Sequence, residues 1–152
     1  MARIQVGDTF GDFSLKNQKE AVIDTASLTG KKLLLSFHPL AWTEVCAKQM
    51  QSLEANCDIL ESLNTVAFGL SIDSAPCKKA WAKSLGIEKT ALLADFWPHG
   101  GLAMRLGIFI ERFGFSERAN IILDEKRIAS LVKIYPLKEL PDISEILDFL
   151  KK

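Results

Sequence analysis

An α/β fold, with a mixed central sheet flanked by helices, is the architecture this sequence predicts. Three observations carry it. Short apolar runs bounded by turn residues alternate with stretches whose apolar residues recur at helical spacing. Two runs near the C-terminus bracket a polar turn, which adds antiparallel strands to the alternating pattern. The closing stretch is amphipathic at a helical period. The 152 residues suit a single domain, 1–152, whose 48% hydrophobic content is enough for a sizeable core without staples.

Residues 4 to 25 read as a small β-rich extension. Phe10, Phe13 and Leu15 stand among Gly7, Asp8, Gly11 and Asp12, and Ala21-Val22-Ile23 follows the polar turn Asn17 to Glu20. Leu33 to Leu35 with Phe37, after Gly30-Lys31-Lys32, is too short for a helix and reads as a buried strand. His38-Pro39 ends it, because proline has no N–H for a ladder and forces its predecessor into extended geometry. Thr43 and Glu44 then start a helix, the Thr43 hydroxyl being suited to accept an orphan N–H. Val45, Gln49, Leu53 and Leu60 carry that helix to about residue 62, and Asn64 closes it.

Val66 to Ile72 is the next strand, and Ser74-Ala75-Pro76 opens a helix running through Trp81 to Leu85, with Gly86 as its stop. Ala91 to Ala94 is a short strand, and a loop over 95–101 leads into a helix at Leu102 to Leu106. Asn120 to Leu123 and Ile128 to Ile134 form an antiparallel hairpin about Asp124-Glu125-Lys126. Pro141 starts the last helix, with Ile143, Ile146, Leu147 and Leu150 inward. This order is thioredoxin-like with an N-terminal β extension. A flavodoxin-like sheet shares much of it, but no Gly-rich phosphate loop follows the first strand.

Lys and Arg number 19 and Asp and Glu 19, so formal charge is zero and nothing points to nucleic acid or an anionic membrane. The opening Met-Ala-Arg-Ile-Gln-Val-Gly-Asp has no apolar signal region and no run approaches a spanning length, so a cytoplasmic location is expected. Three widely spaced cysteines make neither a secreted disulfide framework nor a zinc site; no metal or cofactor is expected.

Chemistry concentrates at Cys46, in the first turn of a helix that follows a buried strand. The thiolate is the nucleophile, yet a free cysteine, with a pKa of about 8.5, is mostly protonated near neutrality. A helix N-terminus offers unpaired N–H groups and a positive dipole end, both favouring the anion. The plainer alternative is a small, packed, inert thiol.

Pro39, Thr43 and Cys46 form Pro-x-x-x-Thr-x-x-Cys, which resembles the active-site signature of the peroxiredoxins. Three further stretches extend the resemblance to nearly the whole chain: Gly7 to Leu15, Ser71-Ile72-Asp73-Ser74 followed by Trp81, and Arg118 before the strand 119–123. Leu92 to Gly100, with Phe37 to Thr43, looks most like the one-cysteine peroxiredoxins of the alkyl hydroperoxide reductase E type.

The resemblance implies a thiol-dependent peroxidase acting on hydrogen peroxide or organic hydroperoxides. Cys46 would attack the peroxide and become a sulfenic acid. Thr43, Arg118 and the N–H groups of Val45 and Cys46 would serve the transition state, and Pro39 would cap the pocket. Arg118 would also lower the thiol's pKa; its plainer alternative is a surface salt bridge with Glu117 or Asp124. Where the family has an acid three residues after the cysteine, this chain has Gln49, and where it has proline, Gly11. His38 stands where an aromatic is common and reads as a packed residue, while His99 and Trp97 shape the start of a helix or an interface.

Recycling is open between two readings. Cys57 lies eleven residues beyond Cys46, about 16 Å along a continuous helix at ~1.5 Å per residue. That exceeds the roughly 7 Å a disulfide allows. Cys77 is the possible resolving thiol of a two-cysteine enzyme, but its register resembles a position often occupied by a non-resolving cysteine. A one-cysteine enzyme reduced by an external thiol or thioredoxin-like protein is therefore expected, with a homodimer or higher homo-oligomer implied by resemblance and aromatics near Trp42 as interface material. From another class, a non-catalytic redox sensor on the same fold would keep the thiol but turn over peroxide poorly. A thioredoxin-type carrier would want Cys-x-x-Cys, and Cys46 is followed by Ala47-Lys48-Gln49.

Overall fold

The computed structural model describes residues 2–152. In chain order these form β1 (Ser14–Lys16), β2 (Val22–Asp24), β3 (Lys32–Phe37), α1 (Glu44–Ala55), α2 (Cys57–Ser62), β4 (Thr65–Ser71) and α3 (Ala75–Leu85). Then follow β5 (Ala91–Ala94), α4 (Gly101–Leu106), β6 (Phe109–Ile110), β7 (Phe115–Ser116), β8 (Arg118–Leu123), β9 (Ala129–Tyr135) and α5 (Ile143–Leu150). Among the described residues seven strands make one sheet, ordered β2-β1-β5-β4-β3-β8-β9. Its centre, β3, β4 and β5, is parallel; β8 and β9 join antiparallel on one side and β1 and β2 on the other.

Period-two alternation along β3 divides the core. Leu33, Leu35 and Phe37 pack with Leu102, Ala103 and Leu106 of α4. Leu34 faces the other way, into a cluster holding Cys46, Met50 and Leu53 of α1, Trp81 of α3 and Ile146 of α5. Ser36 and His38 share that second parity, so both lie beneath the helices that carry the thiol. On β8, Ala119, Ile121 and Leu123 join the first cluster and Ile122 the second, which turns Arg118 toward Cys46 as well. Gly69 of β4 lets α1 approach, since a Cβ there would run into the Met50 sulfur.

Several ends follow their sequence signals. The Ser74 hydroxyl accepts from the Cys77 N–H, and Gly86 closes α3 at φ 71 in the left-handed region. Other signals are overruled. The helix expected over 43–62 is two helices. Asn56 breaks it by donating its side-chain amide to the Ser52 carbonyl at 2.8 Å while its own N–H goes to Leu53 rather than Ser52. The last helix begins at Ile143 with Asp142 as its cap, not at Pro141. The short β6–β7 hairpin was not foreseen: two residues per strand leave too little alternation to read.

Glu54, near the end of α1, ties that helix to the loop before β5. Its carboxylate accepts N–H bonds from Glu88, Lys89 and Thr90 at 2.8–3.2 Å. Burial alone would push the carboxyl up, but these donors win and hold it at about 2. Glu54→Gln is expected to cost about 1–2 kcal/mol at neutral pH, the side chain being only partly buried. The wild-type advantage is complete above the ordinary value of 4.5 and is lost as pH falls through about 2. Thermal unfolding of both proteins across that range checks this; an advantage that does not change with pH would exclude the carboxylate as its source.

Candidate active site

Cys46 is the third residue of α1 and is only 1% exposed. Even so, it lines an open cleft of about 280 Å³ together with Pro39, Thr43, Val45 and Arg118. The sulfur is thus shielded on most sides and approached on one. Wider clefts of about 520 and 710 Å³ lie elsewhere and no thiol lines either. Size does not select the site; its side chains do.

Arg118 reaches Cys46 from the start of β8. Its Nη1 donates to the Cys46 Sγ at 3.3 Å and to Gln49 Oε1 at 2.7 Å. Nε and Nη2 both donate to the Leu137 carbonyl, at 3.0 and 2.7 Å, just beyond β9. Arg118 is 3% exposed, so it is no surface ion pair; Glu117 pairs instead with Arg3. Gln49 lies one helical turn after Cys46 on the same face. Its Nε2 donates to Ser36 Oγ at 2.8 Å and to the Phe37 carbonyl at 3.1 Å. Those two acceptors orient the amide, leaving its oxygen for Arg118. A charged, desolvated donor thus has a fixed direction, toward the sulfur.

The loop that opens the cleft is tethered from behind. Asp73, after β4, accepts the Ala41 N–H at 2.8 Å and the Ser71 hydroxyl at 2.5 Å. Trp42 adopts φ 67, a left-handed conformation uncommon for a bulky residue, and is 57% exposed. The Thr43 hydroxyl does not cap α1 as its position suggested; it donates to the Leu40 carbonyl at 2.8 Å. Thr43 itself is exposed and lines the cleft.

The other thiols are set apart. Cys57 starts α2, beyond the break at Asn56, and lines a different cleft. Cys77, on the first turn of α3, is 3.8 Å from an Asp73 carboxylate oxygen. Burial and then the Asp73 charge push its thiol up. Trp81 is buried with its ring centroid 5.2 Å from that of His38. His38 Nε2 is 2.9 Å from the Nζ of Lys78, which is fully buried. His99 bonds the Gly114 carbonyl at 2.7 Å and so ties the loop before α4 to the β6–β7 hairpin, while Trp97 is exposed. Among the described residues no group of three His, Cys, Asp or Glu side chains is arranged to hold a metal.

Sequence reasoning missed Leu137, Ser36 and Lys78. Leu137 acts through its carbonyl, which leaves no mark in a sequence. Ser36 is one step of a strand alternation. Lys78 did leave a signal, since it falls on the apolar face of α3 with Ala75 and Ala82.

The model of the AhpC/TSA family matches residues 6–130. The chain belongs to that family. Alkyl hydroperoxide reductase E of Mycobacterium tuberculosis is 31% identical over 140 residues, 91% of each chain. Thiol peroxidase of Streptococcus sanguinis is 32% identical over 123 residues, 81% of this chain and 74% of that one. The crystal structure of Enterococcus faecalis AhpC superposes with a TM-score of 0.87 at 25% identity, covering 96% of this chain and 90% of that one. The chain is therefore a peroxiredoxin with a thioredoxin-like fold, an oxidoreductase of the thiol-dependent peroxidase class. No helix among the described residues is long and apolar enough to cross a membrane.

Gln49 gives this site a test. Gln49→Leu removes the acceptor that aims Nη1 and both donors that hold Ser36 and Phe37. The variant should lose about 1–3 kcal/mol of stability and reduce peroxide more slowly. Thermal unfolding and stopped-flow rates check the two effects separately.

Proposed function

We propose that Cys46 is the peroxidatic thiol, and that hydrogen peroxide or an organic hydroperoxide is its substrate. The observation that carries this reading is the buried Arg118 guanidinium donating to the Cys46 sulfur at 3.3 Å at the base of an open cleft. The thiolate attacks the terminal peroxide oxygen. An S–O bond forms, the O–O bond breaks, and the departing hydroxide or alkoxide takes a proton to leave as water or alcohol. Sulfur is oxidised to the sulfenic acid and the peroxide is reduced.

Acceleration comes from donors aimed at the charge that develops on the peroxide oxygens. Arg118 supplies one; the N–H groups of the first α1 turn, at Val45 and Cys46, supply others. Thr43 contacts the incoming peroxide from the rim of the cleft, and Pro39 limits water beside the sulfur. Gln49 orients Arg118, while Trp81 packs beneath the loop.

An external thiol or thioredoxin-like protein then attacks the sulfenic sulfur, releasing water and leaving a mixed disulfide that a second thiol resolves. The raised Cys77 thiol supports this one-cysteine cycle, since a smaller thiolate fraction makes a poorer resolving nucleophile. The protein works as a homodimer in the cytoplasm, with the exposed Trp42 surface as contact material.

Stopped-flow peroxide reduction with a dithiol reductant tests the assignment. Cys46→Ser should fall to the background rate, and Arg118→Met should lose about 100-fold, the loss typical of one transition-state donor. A wild-type rate no better than free cysteine's would leave a redox sensor instead. Mass spectrometry after one equivalent of peroxide should show one added oxygen on the Cys46 peptide; a Cys46–Cys77 disulfide would make Cys77 the resolving thiol.

A further inference from the structure

We propose that Asp73 is a positioning residue for peroxide reduction: its carboxylate sets the loop that carries Pro39 and Thr43 beside the Cys46 sulfur. The inference rests on the peroxidase reading of Cys46 and concerns a residue which that reading does not use.

Sheet geometry brings the acid to the loop. β3 and β4 are parallel neighbours with Phe37 opposite Leu70, and the His38 N–H donates to the Leu70 carbonyl at 3.0 Å. Both strands therefore leave the sheet at the same level, and the chain after Ser71 runs beside the chain after His38. Asp73 stands there, one residue before Ser74, the cap of α3. An acid at that place could serve the first turn of α3, but the Ser74 hydroxyl accepts the Cys77 N–H instead. The carboxylate reaches across to the other chain. Its Oδ2 accepts the Ala41 N–H at 2.8 Å and the hydroxyl of Ser71, itself 1% exposed, at 2.5 Å. Its Oδ1 lies 3.8 Å from the Cys77 sulfur, a weak donor. Ser71 is the last residue of β4, so the sheet itself fixes the direction of the acid. A carboxylate bonded to a backbone N–H makes a charge-assisted contact, about twice as strong as a neutral one.

The loop's own bonds are local. Thr43 Oγ1 donates to the Leu40 carbonyl at 2.8 Å, and the Ala47 N–H of α1 donates to the Thr43 carbonyl at 2.9 Å. These give the segment its shape; the Ala41–Asp73 bond fixes where that shape sits against the sheet. Trp42, the next residue, holds φ 67, a backbone state that persists only where the surroundings over-determine it. Pro39 and Thr43 flank this anchored pair and line the cleft with Cys46. Arg118 is held differently, from Gln49 and the Leu137 carbonyl, neither of which belongs to the loop. The cation at the sulfur and the rim that meets the substrate thus have separate anchors. Asp73 serves the rim.

Two reactions of one sulfur separate these anchors. Reduction of hydrogen peroxide needs the sulfur and the rim, whereas alkylation by iodoacetamide, followed by mass spectrometry of the Cys46 peptide, needs the sulfur alone. Asp73→Ala should lose about 10- to 100-fold in the peroxide rate, the cost of a misplaced reacting geometry, with no slowing of alkylation. Asp73→Asn keeps an oxygen for Ala41 and should stay within about threefold of wild type. Hydrogen exchange of the segment around Ala41 should be slow in wild type and fast in Asp73→Ala. A folded Asp73→Ala protein with the wild-type peroxide rate overturns the inference, and so does alkylation that falls in step with peroxide reduction. If that variant does not fold, Ser71→Ala, which frees the carboxylate to turn, takes its place, and an unchanged ratio of the two rates overturns the inference equally. A wild-type protein that reduces peroxide no faster than free cysteine would sink the peroxidase reading. Exchange then decides the tether: protection lost in Asp73→Ala upholds it, and unchanged protection overturns it.

Discussion

A buried guanidinium with no carboxylate among the described residues to neutralise it is the interaction on which the rest of this structure depends. Arg118 spends its donors on a backbone carbonyl, a side-chain amide and a sulfur. The first two are neutral and the third can ionise. A desolvated cation of permanent charge favours whichever neighbour can become an anion. An acid in place of Gln49 would compete for that role. With glutamine there, the amide fixes direction without adding charge, and the sulfur is the one ionisable partner among the atoms the guanidinium touches.

The fold delivers this contact through sheet geometry rather than local sequence. β8 runs antiparallel to β3 with Ala119 opposite Phe37, which brings Arg118 level with the turn where β3 hands over to α1. The same parity places Ser36 beneath Gln49 and His38 beneath α3. Asp73 then fixes the intervening loop from the neighbouring parallel strand, and a left-handed Trp42 completes the turn into the helix. Strand, loop and helix are each ordinary, but their junction is constrained from three directions.

Much of this could be read from residues alone, for identifiable reasons. Ser74, Pro76 and Gly86 mark the limits of α3 by local rules that act within a few residues. The Leu33–Phe37 run marks β3 because a fully buried strand must be apolar on both faces. Pro39, Thr43 and Cys46 were visible as a spaced pattern, and Arg118 by resemblance. What escaped was decided by competition or by distance. Asn56 could cap or continue a helix equally well until its amide took the Ser52 carbonyl. Thr43 had two acceptable uses for its hydroxyl, and the tight loop chose Leu40. The pairing of His38 with Lys78 spans forty residues, and only the packed sheet and helix layers bring the two together.

The Leu137 carbonyl has an implication of its own. Two of the guanidinium's hydrogen bonds end on main chain, so evolution can exchange the leucine for many other residues without touching the contact. Alanine scanning would pass over the position in silence. A one-residue insertion or deletion between Tyr135 and Pro141 would instead rotate the oxygen away and unseat the arginine. At this point in the chain the contact depends on loop length rather than on residue type.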